Sequence, residues 1–166
     1  MDVVNIQSIK WKGVLDWEGL YKVMFQWFMR YKYIFTENTL KSAWGPFGQE
    51  FEIEWDAWRK VTNYVKYVVE IYVHAWDKRD VEVVKDGKKK TMQHIRFNME
   101  FNVRIETDYQ GKLSGTPFKD KLRNFYEKYI IRKDLAFDHW DPLYYQISGL
   151  REVIKKFLDS QVQGVR

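Results

Sequence analysis

Apolar and polar positions alternate most strictly between His94 and Glu106. Every odd residue of that stretch is large and apolar and every even residue is polar; the odd residues are Ile95, Phe97, Met99, Phe101, Val103 and Ile105. A period of two over this length predicts a β-strand with one dry face and one wet face. The dry face needs a covering layer, which we expect the rest of the chain to supply.

Other stretches show weaker forms of the same pattern. Residues 3–12 predict a first strand that Gly13 ends, and residues 32–43 predict a less regular strand. Residues 51–57 alternate apolar side chains with acidic ones, and residues 65–84 keep odd positions apolar around an interruption at 77–80. Together they predict an antiparallel sheet, because no strand–helix–strand alternation is present.

Asp86-Gly87 is the strongest hairpin signal in the chain. Both flanking strands keep odd residues on the dry face, so we predict a three-residue loop with Lys85 opposite Lys89. The same register sets three further cross-strand pairs of unlike groups: Glu70 with Arg104, His74 with Glu100, and Lys66 with Asp108.

Three helices are predicted from capping signals and apolar stripes. Asp16 caps a helix over 17–31, Thr116-Pro117 starts a second helix, and Asp141-Pro142 starts a third. The expected fold class is α+β: an antiparallel meander of about five to six strands, with one N-terminal-half helix and two C-terminal helices packed on one face. We expect one domain over 1–166 with a frayed tail at 160–166.

Composition excludes several function classes. The chain is 45% hydrophobic and 31% charged, which indicates a globular protein, and it has no cysteine for disulfides or thiolate chemistry. It has no secretion signal and no apolar run of transmembrane length, so we expect a cytoplasmic protein. The net charge of +5 permits an anionic partner, but 23 acidic residues accompany the 28 basic ones.

No signature of catalysis, cofactor binding or metal binding stands out. His74 and His94 fall on the wet face as ordinary cross-strand partners, and Asp138-His139-Trp140-Asp141 is best explained as loop chemistry and helix capping. The acidic series Glu50, Glu52 and Glu54 shares its face with basic groups, so we interpret it as a solvated charge lattice. We therefore assign no catalytic, cofactor or metal residue and lean against an enzyme.

Two features remain as candidate binding surfaces. Basic residues form two clusters that are candidates for anion or nucleic-acid binding: Lys85, Lys88, Lys89 and Lys90 at the hairpin, and Arg132 with Lys133. Aromatic residues reach 18% of the chain with eight tryptophans. Trp58 and Trp76 fall on the wet face, where large rings indicate an interface, and Val23 and Met29 widen the apolar side of the first helix.

The leading hypothesis is therefore a non-catalytic binding or assembly module with a protein partner or a homo-oligomeric state. The alternatives are a carrier of a small apolar ligand and a nucleic-acid binder. The element order is similar to that of helix-grip domains, in which a curved sheet wraps a C-terminal helix and often encloses a cavity. That likeness is one of layout and implies no particular ligand.

A second resemblance rests on short runs across residues 50–158. They are Lys85-Asp86-Gly87-Lys88-Lys89, Asp108-Tyr109, Gly111-Lys112, Pro117-Phe118, Leu122-Arg123, Phe125-Tyr126 and Lys128-Tyr129-Ile130. With these runs the chain resembles a group of small uncharacterised archaeal α+β proteins of unknown function. The resemblance implies a fold and a cytosolic setting and carries no chemistry.

Overall fold

The computed structural model describes residues 4–113, 115–131 and 135–163. The predicted α+β class is confirmed: a five-stranded antiparallel sheet with the order β1-β5-β4-β3-β2 is accompanied by one N-terminal-half helix and two C-terminal helices. The strands are β1 (Val4–Leu15), β2 (Ile34–Gly45), β3 (Gly48–Lys60), β4 (Val65–Lys85) and β5 (Lys88–Thr107). The helices are α1 (Trp17–Arg30), α2 (Pro117–Tyr126) and α3 (Asp141–Gln163), and π-helical segments span Glu127–Ile131 and Leu135–Trp140.

The dry face of the sheet lies where the alternation predicts it. The odd residues of β5 from Ile95 to Ile105 and those of β4 from Val65 to Ala75 are all buried. They form one core with residues from β3 and from the helices. The period-two pattern therefore predicted the faces of both central strands correctly.

The predicted hairpin register is wrong. Asp86 and Gly87 form a two-residue turn with φ of 53° and 73°, and Lys85 pairs with Lys88 rather than Lys89. Positive φ at both positions suits the twist of an antiparallel hairpin and explains the Asp-Gly sequence. Further along the ladder, the observed pairs are Glu70 with Asn102, His74 with Asn98, and Lys66 with Glu106.

A β-bulge explains how a two-residue turn keeps both dry faces in phase. Trp76 pairs with Arg96, but the next pair along is Arg79 with His94, so β4 gains one residue at the predicted interruption. Asp77 takes a φ of 60° there. The backbone of Asp77 and Lys78 approaches Gly48, where an added Cβ would lie 2.7 Å from the Asp77 carbonyl carbon. Only glycine fits β3 beside this bulge.

Gly13 does not end the first strand, which continues to Leu15 and pairs along β5. An added Cβ at Gly13 would meet the ring of Trp11 at 2.9 Å. The glycine therefore makes room for a tryptophan that stacks on Phe97 with 6.0 Å between ring centroids. Glycine here serves close packing within a strand rather than a turn.

Helices α1 and α3 cover the dry face. Asp16 caps α1 by accepting a hydrogen bond of 2.9 Å from the Gly19 N–H, as predicted. The buried residues of α3 recur every three or four positions: Leu143, Ile147, Leu150, Ile154 and Leu158. The helix continues through Gln163, so Ser160 to Gln163 of the expected tail are helical. Buried Gln161 accepts a hydrogen bond of 3.2 Å from the Asp16 N–H.

Helix α2 differs from the other two because none of its residues is buried. None of the helices in the described ranges has both the length and the apolarity needed to cross a bilayer.

A matched pair of substitutions tests this assignment of core and surface. Phe101 is 1% exposed and Phe118 of α2 is 74% exposed. Phe101→Ala should lower the free energy of unfolding by about 3–5 kcal/mol because it opens a cavity in the core. Phe118→Ala should change it by less than about 0.5 kcal/mol. Chemical denaturation measures both, and similar losses for the two variants would contradict the packing.

Candidate functional site

The wet face of the sheet is a dense lattice of half-buried polar groups. It is formed by even residues of β3, β4 and β5, whose side chains meet across adjacent strands. Ion pairs bridge the strands, and although Glu70 and Arg104 are not directly opposite, their side chains still join diagonally. Lys66 likewise pairs with Glu106. The predicted charge lattice is present, although its register differs from the prediction.

His74 is the centre of a cluster of polar and aromatic contacts within this lattice. Its Nε2 lies 2.8 Å from Glu50 Oε1 and 3.8 Å from Glu52 Oε1. Tyr72 donates a hydrogen bond of 2.8 Å to the other oxygen of Glu52, and the ring of Trp76 lies 3.9 Å from that of His74. Strand pairing produces this cluster because Glu52 is directly opposite His74 and Glu50 is two residues along the same face.

These contacts shift the proton affinities of the neighbouring groups. The hydrogen bond from His74 holds the pKa of the Glu50 carboxyl below its ordinary value of 4.5. Burial, helped by the hydrogen bond to Glu52, raises the pKa of Tyr72. Tyr72 therefore stays protonated and keeps donating to Glu52 at neutral pH.

Glu50, Glu52 and His74 together have the ligand types of a divalent metal site. The same groups are also satisfied by one another, and Lys41 Nζ lies 3.9 Å from Glu52 Oε1. In a second acidic group on this face, Glu54, Asp56 and Glu70, Asn38 donates to Asp56 and Arg104 donates to Glu70. Neighbouring side chains therefore bind part of each cluster, and the expectation of no metal stays a prediction.

His139 does not lie in an open loop, because its side chain contacts a core residue. Its Nδ1 lies 3.0 Å from the hydroxyl oxygen of Tyr67, and the segment that carries it is π-helical. Burial raises the pKa of Tyr67, which keeps the hydroxyl protonated. The hydrogen bond anchors the segment before α3 to β4.

The two wet-face tryptophans are half-buried and lie far apart. Trp58 is flanked across the strands by Ile34 and Val68, and Lys66 Nζ lies 5.7 Å from its ring centroid. Trp76 lies between the His74 ring and the Arg96 guanidinium, which is 4.9 Å from its centroid. Because Val68 and Trp76 are separated by about 26 Å along β4, Trp58 and Trp76 do not form one flat patch.

The basic hairpin is mostly exposed and lines an open groove with Asp86. Lys90 is already engaged, since its Nζ lies 3.1 Å from Asp16 Oδ2. The described groove residues are Lys85, Asp86, Lys88, Lys89 and Lys90, without an aromatic ring for base stacking. The other basic pair, Arg132 and Lys133, lies outside the described residues.

An exposed surface that the sequence pattern did not identify lies along α2. Phe118, Leu122, Phe125 and Tyr129, which we call the aromatic row, are between 44% and 74% exposed. The prediction that both C-terminal helices pack on one face of the sheet would turn this stripe toward the core, but the structure leaves it in solvent. Periodicity shows that a helix has an apolar side but does not show which way that side points. In the sequence, the lysines on both flanks of the stripe are the signal that this side of α2 faces solvent.

A second exposed surface adjoins β2, one of the two edge strands of the sheet. Phe25 and Met29 of α1 and Ile34 of β2, which we call the edge surface, are between 39% and 53% exposed. Of the two α1 residues expected to widen its apolar side, Met29 belongs to this surface and Val23 is half-buried. Phe25 packs edge-on against Phe35, with 5.8 Å between ring centroids.

The grooves found in the described part of the chain are open to solvent. One of them, of about 470 Å³, is lined by Trp11, Trp76, Arg96 and neighbours at the β1 side of the sheet. The space between sheet and helices is filled by large side chains such as Trp55, Phe28, Phe97 and Phe101.

Comparison with known proteins adds no assignment: no family model, no curated protein and no solved structure matches this chain. The archaeal and helix-grip resemblances therefore stay predictions, and functional inference rests on the surfaces described above.

The His74–Glu50 contact makes a prediction about titration. Replacing His74 by alanine should raise the pKa of Glu50 toward 4.5, because the hydrogen bond that holds it down is lost. In the native protein this contact stabilises the fold at pH values above the ordinary pKa of Glu50. The contribution is lost as the pH falls through the lowered pKa of Glu50 in the folded protein. Side-chain NMR of the glutamates measures the titration.

His94→Ala is the matched control, because His94 pairs with Arg79 on the far side of the bulge. It should leave the Glu50 titration unchanged. An unchanged Glu50 pKa in His74→Ala would show that another group sets it.

Proposed function

We propose that this chain is a non-catalytic protein-association module in which the open edge of β2 joins a strand from a second copy. The observation that carries the proposal is that β2, a strand of 12 residues, is outermost in the described sheet. The backbone groups on its outer side are therefore available to pair with another strand. Such an edge is a ready template for strand addition.

The first half of β2 lacks two of the usual protections of an edge strand. From Ile34 to Thr39 it contains neither lysine nor proline, and its one charged residue, Glu37, accepts a hydrogen bond from Trp55 Nε1 of the neighbouring strand. The other edge strand, β1, carries Lys10 and Lys12. A bulge between Thr39 and Lys41 disrupts the second half of β2. The segment open to pairing is thus the one beside α1.

The edge surface supplies apolar contact where this strand is open. Met29 and Ile34 are about half exposed, and the Phe25 ring is held in place by Phe35 and by Tyr21, which stacks on it at 6.4 Å. Rigid rings lose little conformational entropy when a partner covers them. Ile34 lies directly across from Trp58 and therefore on the same wet face, so the edge surface covers both sides of the β2 edge.

A second copy is the simplest partner because two identical edges can pair about a two-fold axis. The alternatives have less support. A carrier of an apolar ligand needs an enclosed cavity, whereas large side chains such as Trp55, Phe28 and Phe97 occupy the space between sheet and helices. Nucleic-acid binding would use the basic hairpin, where Lys90 is already paired and no ring interleaves the lysines.

Light scattering on the purified protein tests the proposal. The native chain should have a mass of roughly twice 20.3 kDa, and high salt should not dissociate it because apolar contacts and strand pairing resist screening. Met29→Lys combined with Ile34→Lys should produce a folded monomer, since it puts two charges into the buried contact. Amide exchange from Ile34 to Thr39 should be faster in that variant.

The matched control is Val84→Lys combined with Val162→Lys, which adds the same charge at two exposed valines outside the edge surface. This variant should remain dimeric. A native protein that stays at 20.3 kDa at its highest soluble concentration would overturn the proposal, as would dissociation of the control variant.

A further inference from the structure

Helix α2 presents its polar side to the protein body. Its half-buried residues are Asp120 and Arg123, and Glu127 continues the same side into the π-helical segment. Glu127 Oε1 accepts hydrogen bonds of 2.7 Å from the Thr107 hydroxyl and 3.2 Å from the Tyr64 hydroxyl. These contacts anchor the helix to the start of β4 and the end of β5 by polar groups.

Tyr64 is suited to hold this anchor. Burial and the nearby Glu127 carboxylate raise its pKa to about 12, so its hydroxyl stays protonated and donates at neutral pH. Its ring also packs edge-on against Tyr126, with 5.8 Å between centroids. The orientation of α2 is therefore set by specific contacts, with the opposite side left free.

The free side carries the aromatic row. Phe125 and Tyr129 lie 5.0 Å apart between ring centroids, so the row continues from α2 into the π-helical segment. From Phe118 to Tyr129 it is about 16 Å long, at the helical rise per residue. It is a convex ridge of four side chains on one helix rather than a groove between elements.

Basic residues flank this ridge on both sides. With about 100° per residue, Lys119 lies to one side of Phe118 and Lys121 to the other, and both are exposed. Lys128 Nζ lies 5.3 Å from the centroid of the Tyr129 ring. The two acidic residues of this stretch, Asp120 and Glu127, are on the side that faces the body.

We propose that α2 docks on an anionic lipid surface, with the aromatic row inserted among the acyl chains and the flanking lysines at the headgroups. An apolar stripe between two basic flanks, with acids on the far side, is the arrangement of helices that lie in a membrane interface. The lysines meet lipid phosphates while their stems stay beside the rings.

The shape of the surface favours lipid over a protein partner. A protein usually receives an amphipathic helix in a groove that encloses its apolar side. Here the row protrudes from a folded body, and a deformable bilayer can surround a protruding ridge without a preformed groove. A short ridge gives weak insertion by itself, so binding depends on the lysines and is reversible. This surface shares no residue with the edge surface.

Co-sedimentation with vesicles tests the proposal. The full chain should bind vesicles of phosphatidylserine and phosphatidylcholine and bind pure phosphatidylcholine much more weakly. Phe118→Ser combined with Phe125→Ser should weaken binding at least about tenfold, because two inserted rings are lost. Neither residue is buried, so the variant should fold. Replacing Lys119, Lys121 and Lys128 by glutamine should weaken binding to anionic vesicles about fivefold for each lysine.

Trp44→Ser combined with Phe47→Ser is the matched control, because both rings are highly exposed at the β2–β3 turn. It should leave vesicle binding unchanged. Vesicle binding that survives the Phe118/Phe125 substitution, or that the Trp44/Phe47 substitution abolishes, would overturn the proposal. Failure of the native chain to bind anionic vesicles would also overturn it and would leave an acidic protein as the partner to seek.

Discussion

The pairing of β4 with β5 is the constraint on which the rest of the structure depends. These strands of 21 and 20 residues are the longest elements but for α3, and their odd residues supply much of the core. A one-residue error of register would turn a whole apolar face to solvent. The two-residue Asp-Gly turn by itself would shift the register by one residue, and the extra β4 residue at the Asp77 bulge restores the register before the core begins. The turn and the bulge are therefore needed together.

This combination of turn and bulge explains what the sequence pattern could and could not predict. Alternation assigned the faces of β4 and β5 correctly, because burial depends on parity alone. It did not predict the partners of Glu70 or His74, because a three-residue loop and a two-residue turn with a bulge satisfy parity equally well. The sequence does contain a signal for the second solution, since Gly48 leaves the space that the bulged backbone of Asp77 occupies. That signal depends on a neighbouring strand, and strand pairing must be known before it can be interpreted.

The tryptophans show a similar limit. A large ring on a wet face predicts an interface at Trp58 and Trp76, but both rings are covered locally by neighbouring side chains. Lys66 lies over one ring and Arg96 over the other, so cations satisfy the ring faces while the flanking strands cover the edges. Parity identifies the face on which a ring lies, but long basic side chains from the next strand decide how much of that ring meets solvent.

The orientation of α2 was beyond the sequence pattern for a physical reason. Either the apolar side or the polar side of a helix can face the rest of the protein. Which side does so depends on the groups that the rest of the protein presents to the helix. At the ends of β4 and β5 the body offers the hydroxyls of Tyr64 and Thr107, and Glu127 satisfies both with one carboxylate oxygen. Turning α2 to bury Phe118 and Phe125 would leave those hydroxyls and the carboxylate without their partners, at a cost comparable to what burying the rings would gain. The polar anchor therefore keeps an apolar ridge in solvent, and a structure that stabilises such exposure is one in which the ridge is available for binding.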